Sequence, residues 1–175
     1  MSPTLRPRSM LCLMALSGFL VAGAAHADMY GDVSELAKSG KTTEAIAKAE
    51  QYLSTNPRDP QMRFLKGVAQ SKAGDMDAAT ATFQALVEEY PELPEPYNNL
   101  AVIYANQNQL DKARGALEMA VRNNPNYAVA HENLGDIYAR LAHDAYNQSL
   151  KLNGNNRPLK LKLTTLTEML QPAAR

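Results

Sequence analysis

Few side chains in this 175-residue chain could carry a reaction, and their spacing argues against one. His131 and His143 stand 12 residues apart. On a helix that separation turns them about 120° from each other, at roughly 100° per residue, so they cannot share a metal on one face. Cys12 and His26 fall within the first 27 residues. Glu88-Glu89 and Asp75-x-Asp77 pair carboxylates, as general acid–base work requires, but they sit at a helix end and a turn with no cleft implied. No Gly-rich phosphate loop, H-E-x-x-H or G-x-S-x-G occurs. The expectation is a non-enzyme that needs no cofactor and no metal.

What the sequence does build is helix pairs. Between Pro94 and Tyr127, the residues Tyr97, Leu100, Ala101 and Tyr104 fall at i, i+3, i+4 and i+7, one face of an α-helix. Asn106 to Asn108 is a polar turn. Leu110, Ala113, Leu117, Ala120 and Val121 line a second helix, which Pro125 closes for want of an N–H. Pro91 and Pro57 precede Pro125 at steps of 34 residues. Ala113, Ala79 and Ala45 recur at the same step, as do Asn108, Gly74 and Gly40 in the turns.

This 34-residue period of paired helices resembles the tetratricopeptide repeat, whose signature is W-x2-L-G-x2-Y, A-x3-F and P. Tyr97, Leu100-Ala101, Tyr104, Ala113, Leu117 and Pro125 match it in one unit, and Gly67, Ala79, Phe83 and Pro91 in the unit before, where Arg63 and Gln70 replace the aromatics. His131, Leu134-Gly135 and Tyr138 open a further unit, with His131 at the tryptophan position and packing between helices expected for it. Tyr97, Tyr104 and Tyr138 occupy core positions of the family. The resemblance implies an all-α, right-handed solenoid of helix-turn-helix repeats with a C-terminal capping helix.

The expected units are a degenerate N-terminal repeat over 28–59, repeats over 60–93 and 94–127, a shortened unit over 128–156, and a capping helix over 157–172. In the shortened unit five residues that would form the turn are missing, and no Gly or Pro lies between Asp136 and Leu152. One fused helix from about Val129 to Leu152 is expected, the alternative being two short helices broken near His143-Asp144. Leu159, Leu163, Leu166 and Leu170 form the stripe of the last helix, which Pro172 stops.

Residues 1–27 read as a cleaved signal peptide: Arg6 and Arg8, an apolar run from Met10 to Ala25, and the small-residue site Ala25-His26-Ala27. The run is short for a bilayer span, which needs about 20 apolar residues, so an uncleaved anchor is the lesser alternative. Cleavage would leave 148 residues without cysteine and a formal charge of −2, which lacks the basic footprint of a nucleic-acid binder. The expected location is the bacterial periplasm. Charge is uneven: Asp75 to Glu95 holds six acids and no base, whereas Lys151, Arg157, Lys160, Lys162 and Arg175 face Glu168 alone.

In the family, one side of each first helix faces the concave surface. The resemblance therefore implies partner contacts from Phe64, Val68 and Lys72, from Asn98, Asn99, Val102 and Asn106, and from Glu132, Asn133, Asp136 and Arg140. Phe64 and Val102 are expected as exposed apolar anchors, Asn98 and Asn99 as amide donors to a peptide backbone, and Glu132 and Asp136 as a preference for a basic residue. Leu65 reads as core. Family members that clamp a terminal carboxylate use basic and polar residues where this chain has Phe64, Val68, Val129 and Asn133; only Asn99 agrees, so no such clamp is expected. The implied function is a non-catalytic protein-interaction scaffold of the cell envelope, holding a peptide or helix. The alternatives are a structural or self-associating subunit and an accessory chaperone for exported proteins.

Overall fold

The structure is a computed structural model and describes residues 19–171, with side chains from Met29 onward. Most of the leader expected over 1–27, together with Pro172 and Arg175, lies outside the described residues. The described residues form eight α-helices and no strand: α1 (Phe19–Lys38), α2 (Thr42–Leu53), α3 (Pro60–Ala73), α4 (Met76–Glu89), α5 (Pro94–Asn106), α6 (Leu110–Asn123), α7 (Ala128–Leu152) and α8 (Arg157–Leu170). They stack as successive pairs, each packed on the next, in an all-helical solenoid.

Local chemistry sets the helix ends. Asp59 caps α3 by accepting from the Met62 N–H at 2.8 Å, and Asp75 caps α4 through the Ala78 N–H at 3.1 Å. Asn156 does the same for α8 through Leu159, and Pro60, Pro94 and Pro158 sit in first turns, where no N–H is needed. The 34-residue step reappears in the backbone: Gly40, Gly74 and Asn108 have φ of 81°, 85° and 57°. Only glycine or asparagine takes that left-handed turn readily.

The repeated alanines mark close contacts between helices. Ala45, Ala79 and Ala113 are wholly buried. Helices α3 and α4 also meet closely at a glycine, where a Cβ added at Gly67 would lie 2.7 Å from the Phe83 ring. Where the second repeat departs from the aromatic pattern, polar partners replace packing. Gln70 is buried but accepts from the Thr82 hydroxyl at 2.8 Å, and Arg63 meets Glu89 at 2.5 Å. The Arg63 hydrogen bond, with Arg58 nearby, holds the Glu89 carboxyl below its usual range. The acid at this helix C-terminus, against the macrodipole, thus has a partner across the pair. Lys48–Asp32 and Lys66–Glu50 (2.7 Å) tie the preceding helices in the same manner.

At the N-terminal end the Tyr30 hydroxyl donates to Asp59 Oδ2 at 2.5 Å and the Tyr52 hydroxyl to the same oxygen at 3.2 Å. One carboxylate therefore joins α1, α2 and the start of α3.

The fourth unit is different. Helix α7 runs 25 residues without a break, about 37 Å at 1.5 Å per residue, and α8 folds back along it. Tyr138 was expected in the core but is 49% exposed. Its counterpart Tyr104 is covered by Lys112 of its own second helix, 5.7 Å from the ring centre. Tyr138 has no such helix because α7 carries straight on, and its hydroxyl reaches Glu118 at 3.3 Å. His131 is also exposed, its Nε2 2.9 Å from the Pro125 carbonyl, rather than packed between helices.

Candidate functional site

Helices α5 and α7, first members of successive units, lie side by side with the end of α8 across from them. A cavity of about 340 Å³ opens between the three. Five of the eleven residues expected at a partner surface line it: Val102, Asn106, Asn133, Asp136 and Arg140. Val102, 43% exposed, and Met169, 63% exposed, are apolar elements of the rim, while Asn106 and Asp136 face solvent. Arg140 is positioned from two sides, donating to the Ala105 carbonyl at 3.1 Å and to Asn108 Oδ1 at 3.2 Å. Its guanidinium thereby adds a second donor to an end carbonyl of α5 that already accepts from the Asn108 N–H at 3.1 Å, at a helix end where a cation is favoured.

The other expected residues separate into two groups. Lys72 and Glu132 are exposed but do not line the cavity. Phe64, Val68, Asn98 and Asn99 are engaged within the protein. Phe64 is not an exposed anchor: its ring packs on Phe83, centroids 5.8 Å apart at 49°, and Val68 joins the same cluster with Ala79, Leu86, Leu100 and Ile103. Both are half-buried against α4 and α5, so packing within the solenoid holds them rather than presenting them as free anchors. Asn98 is only 7% exposed and accepts from Asn133 Nδ2 at 2.8 Å, linking α5 to α7. Asn99 donates to the Glu95 carbonyl one turn back at 2.9 Å. Leu65 packs against the core of α1–α3, as its reading required.

Ile137, Leu117, Met169 and Leu170 also line the cavity. The leucine stripe of α8 was visible in the sequence, but no spacing says which neighbour the end of that helix approaches. Among the described residues no group of three or more His, Cys, Asp or Glu could hold a metal, and no helix is long and apolar enough to cross a membrane.

Two family models described as tetratricopeptide repeat match residues 31–94 and 71–141, which together span the helix pairs from α1 into α7. The chain belongs to the tetratricopeptide-repeat family. It is 33% identical over 85 residues to the chloroplastic tetratricopeptide repeat domain-containing protein PYG7 of Arabidopsis thaliana, covering 46% of this chain and 28% of that one. It is 27% identical over 95 residues to the probable biofilm formation methyltransferase WspC of Pseudomonas putida, covering 54% and 22%. The chain thus spans less than a third of the length of these curated relatives. Among solved structures, the tetratricopeptide repeat protein TTC0263 of Thermus thermophilus superposes with a TM-score of 0.61 at 24% identity, covering 82% of each chain. The first tetratricopeptide repeat domain of Spaghetti (RPAP3), bound to the HSP90 peptide SRMEEVD, gives 0.60 at 19% identity, over 66% of this chain and 92% of that one. At these identities the likeness is one of fold.

Proposed function

We propose that this tetratricopeptide-repeat protein is an exported, non-catalytic scaffold of the bacterial envelope that holds a peptide or helix of a partner protein against α5 and α7. The observation that carries the reading is the cavity bounded by Val102, Asn106, Asp136 and the end of α8. Its rim combines an apolar side chain with amide and carboxylate groups that carry no ion pair among the described residues. Such a mixture suits an extended or helical peptide with an apolar anchor and a basic residue opposite Asp136 and Glu132. A terminal carboxylate, of the kind other family members clamp, finds no basic residues at Phe64, Val68, Val129 or Asn133. Export rests on the leader pattern of residues 1–27, and the periplasm is its destination.

Two measurements test this reading. The intact mass of the protein recovered from a periplasmic extract should correspond to a chain starting at Asp28; a chain retaining Met1 in the membrane fraction defeats the export part. The variant Val102→Glu with Asp136→Lys alters only exposed groups and should keep the helical circular-dichroism spectrum. It should lose, by about ten-fold or more, the partners that wild type captures from envelope extract. Retention of every partner by the folded variant removes the α5–α7 surface from consideration.

A further inference from the structure

The turn between α7 and α8 has a chemistry found nowhere else in the described chain. From Ala145 to Thr167 there is no acidic residue, while Lys151, Arg157, Lys160 and Lys162 are present and all exposed. None of the four is paired with a carboxylate among the described residues. In α1 to α4, Lys48, Lys66 and Arg63 are each matched to an acid, and the cations without one, Lys38 and Lys72, stand singly at helix ends rather than as a cluster. The same turn carries the two most exposed large apolar side chains described, Leu152 at 81% and Leu161 at 70%. Leu152 ends α7 and Leu161 lies in the second turn of α8, so both stand at the far end of the 25-residue helix. On α8, Arg157, Lys160 and Leu161 fall within about 100° of each other, opposite the Leu159, Leu163, Leu166 and Leu170 stripe, while Lys162 lies on the other flank of the tip, about 160° from Lys160. Glu168 shares that face but lies about 10 Å farther along the helix.

We propose that this hairpin tip docks on an anionic phospholipid surface, with the four cations against the headgroups and Leu152 and Leu161 entering the interface. Side chains so exposed have no wall of protein around them, and a bilayer interface requires none. It accepts apolar tips flanked by lysine and arginine, and long cationic side chains can reach the phosphates from several directions. An acidic protein would match the cations but would have to supply its own pocket for two leucines on a convex end. The site is separate from the α5–α7 cavity and does not depend on what that cavity holds.

The whole chain is expressed, and the soluble form recovered is mixed with vesicles of phosphatidylcholine alone or with one third phosphatidylglycerol. The protein should sediment with the anionic vesicles at least about ten-fold more strongly, and less so as salt rises. Changing Lys151, Arg157, Lys160 and Lys162 to Gln should weaken this by about five-fold per cation, and Leu152→Ser with Leu161→Ser should also weaken it. Circular dichroism should stay unchanged, because all six side chains are exposed. The protein has no tryptophan, so Leu161→Trp provides a single reporter whose emission should move to the blue on anionic vesicles. Equal binding to both vesicle types, binding unaffected by either variant, sedimentation without a blue shift, or capture of an acidic protein with no vesicle association overturns the proposal.

Discussion

Phe83→Ala is expected to destabilise the protein by about 3–5 kcal/mol, the range for removing a large aromatic from a core. Phe83 heads the fully buried side chains. Its ring touches Phe64 and fills the space that Gly67 leaves open. Truncation would empty the joint between α3 and α4 and strip apolar contacts from α5 through Leu100 and Ile103. Urea unfolding should show the loss, and the thermal midpoint should drop by roughly 10 °C for a chain of this size. A double-mutant comparison sharpens the point. Gly67→Ala alone should destabilise, because its methyl would meet the ring at 2.7 Å. In the Phe83→Ala background the same change should be neutral or favourable. Additive effects would mean that the two helices meet elsewhere.

Asp59→Ala is expected to lose about 2–3 kcal/mol, combining a helix cap with the acceptor for two tyrosine hydroxyls. Its pH dependence has a definite sign. Burial pushes the Asp59 carboxyl up, but the hydrogen bonds from Tyr30, from the Met62 N–H and from Tyr52 outweigh it and hold the group below its usual range. The contribution is therefore complete above the ordinary carboxylate value of about 4 and fades as the pH falls through the lower folded value. Tyr30 behaves in the opposite sense. Burial and the Asp59 hydrogen bond push its hydroxyl well above the usual tyrosine range. That part of the stability is present below about pH 10 and declines as the pH rises beyond it. The gap between wild type and Asp59→Ala in urea unfolding should be widest near neutrality and narrow at both extremes. A gap independent of pH would break the link between the carboxylate and the tyrosines.

The repeat was legible because it rests on residues whose backbone or size admits few substitutes. A residue tolerant of positive φ every 34 positions, an alanine at each tight crossing and a proline after each pair can be read without knowing a single contact. The site was less legible, since position on a helix does not decide what a side chain does there. Phe64 and Val68 lie on a first helix, as Val102 does, yet the gap above Phe83 draws the first two inward. Asn98 looked like a donor for a partner's backbone and instead bonds Asn133 on the next helix. His131 and Tyr138 occupy family core positions in a unit whose second helix never folds back, so the burial expected there is missing. Glu89 is the converse case: at the end of α4 it opposes the helix dipole, and only the fold brings Arg63 to it from α3.

The unbroken α7 also limits how the protein can lengthen. In a stack of hairpins each unit presents two helices as a seat for its successor, and copying a unit simply adds another floor. Beyond Leu152 the chain presents the flank of one long helix with α8 laid along it, and a copied hairpin joined there would find no seat of the right shape. Duplications within the gene are therefore expected to be accommodated between α3 and α6, where complete hairpins meet, and rejected at the C-terminal end. The five residues absent from the last unit thus remove the hairpin on which a further unit would stack.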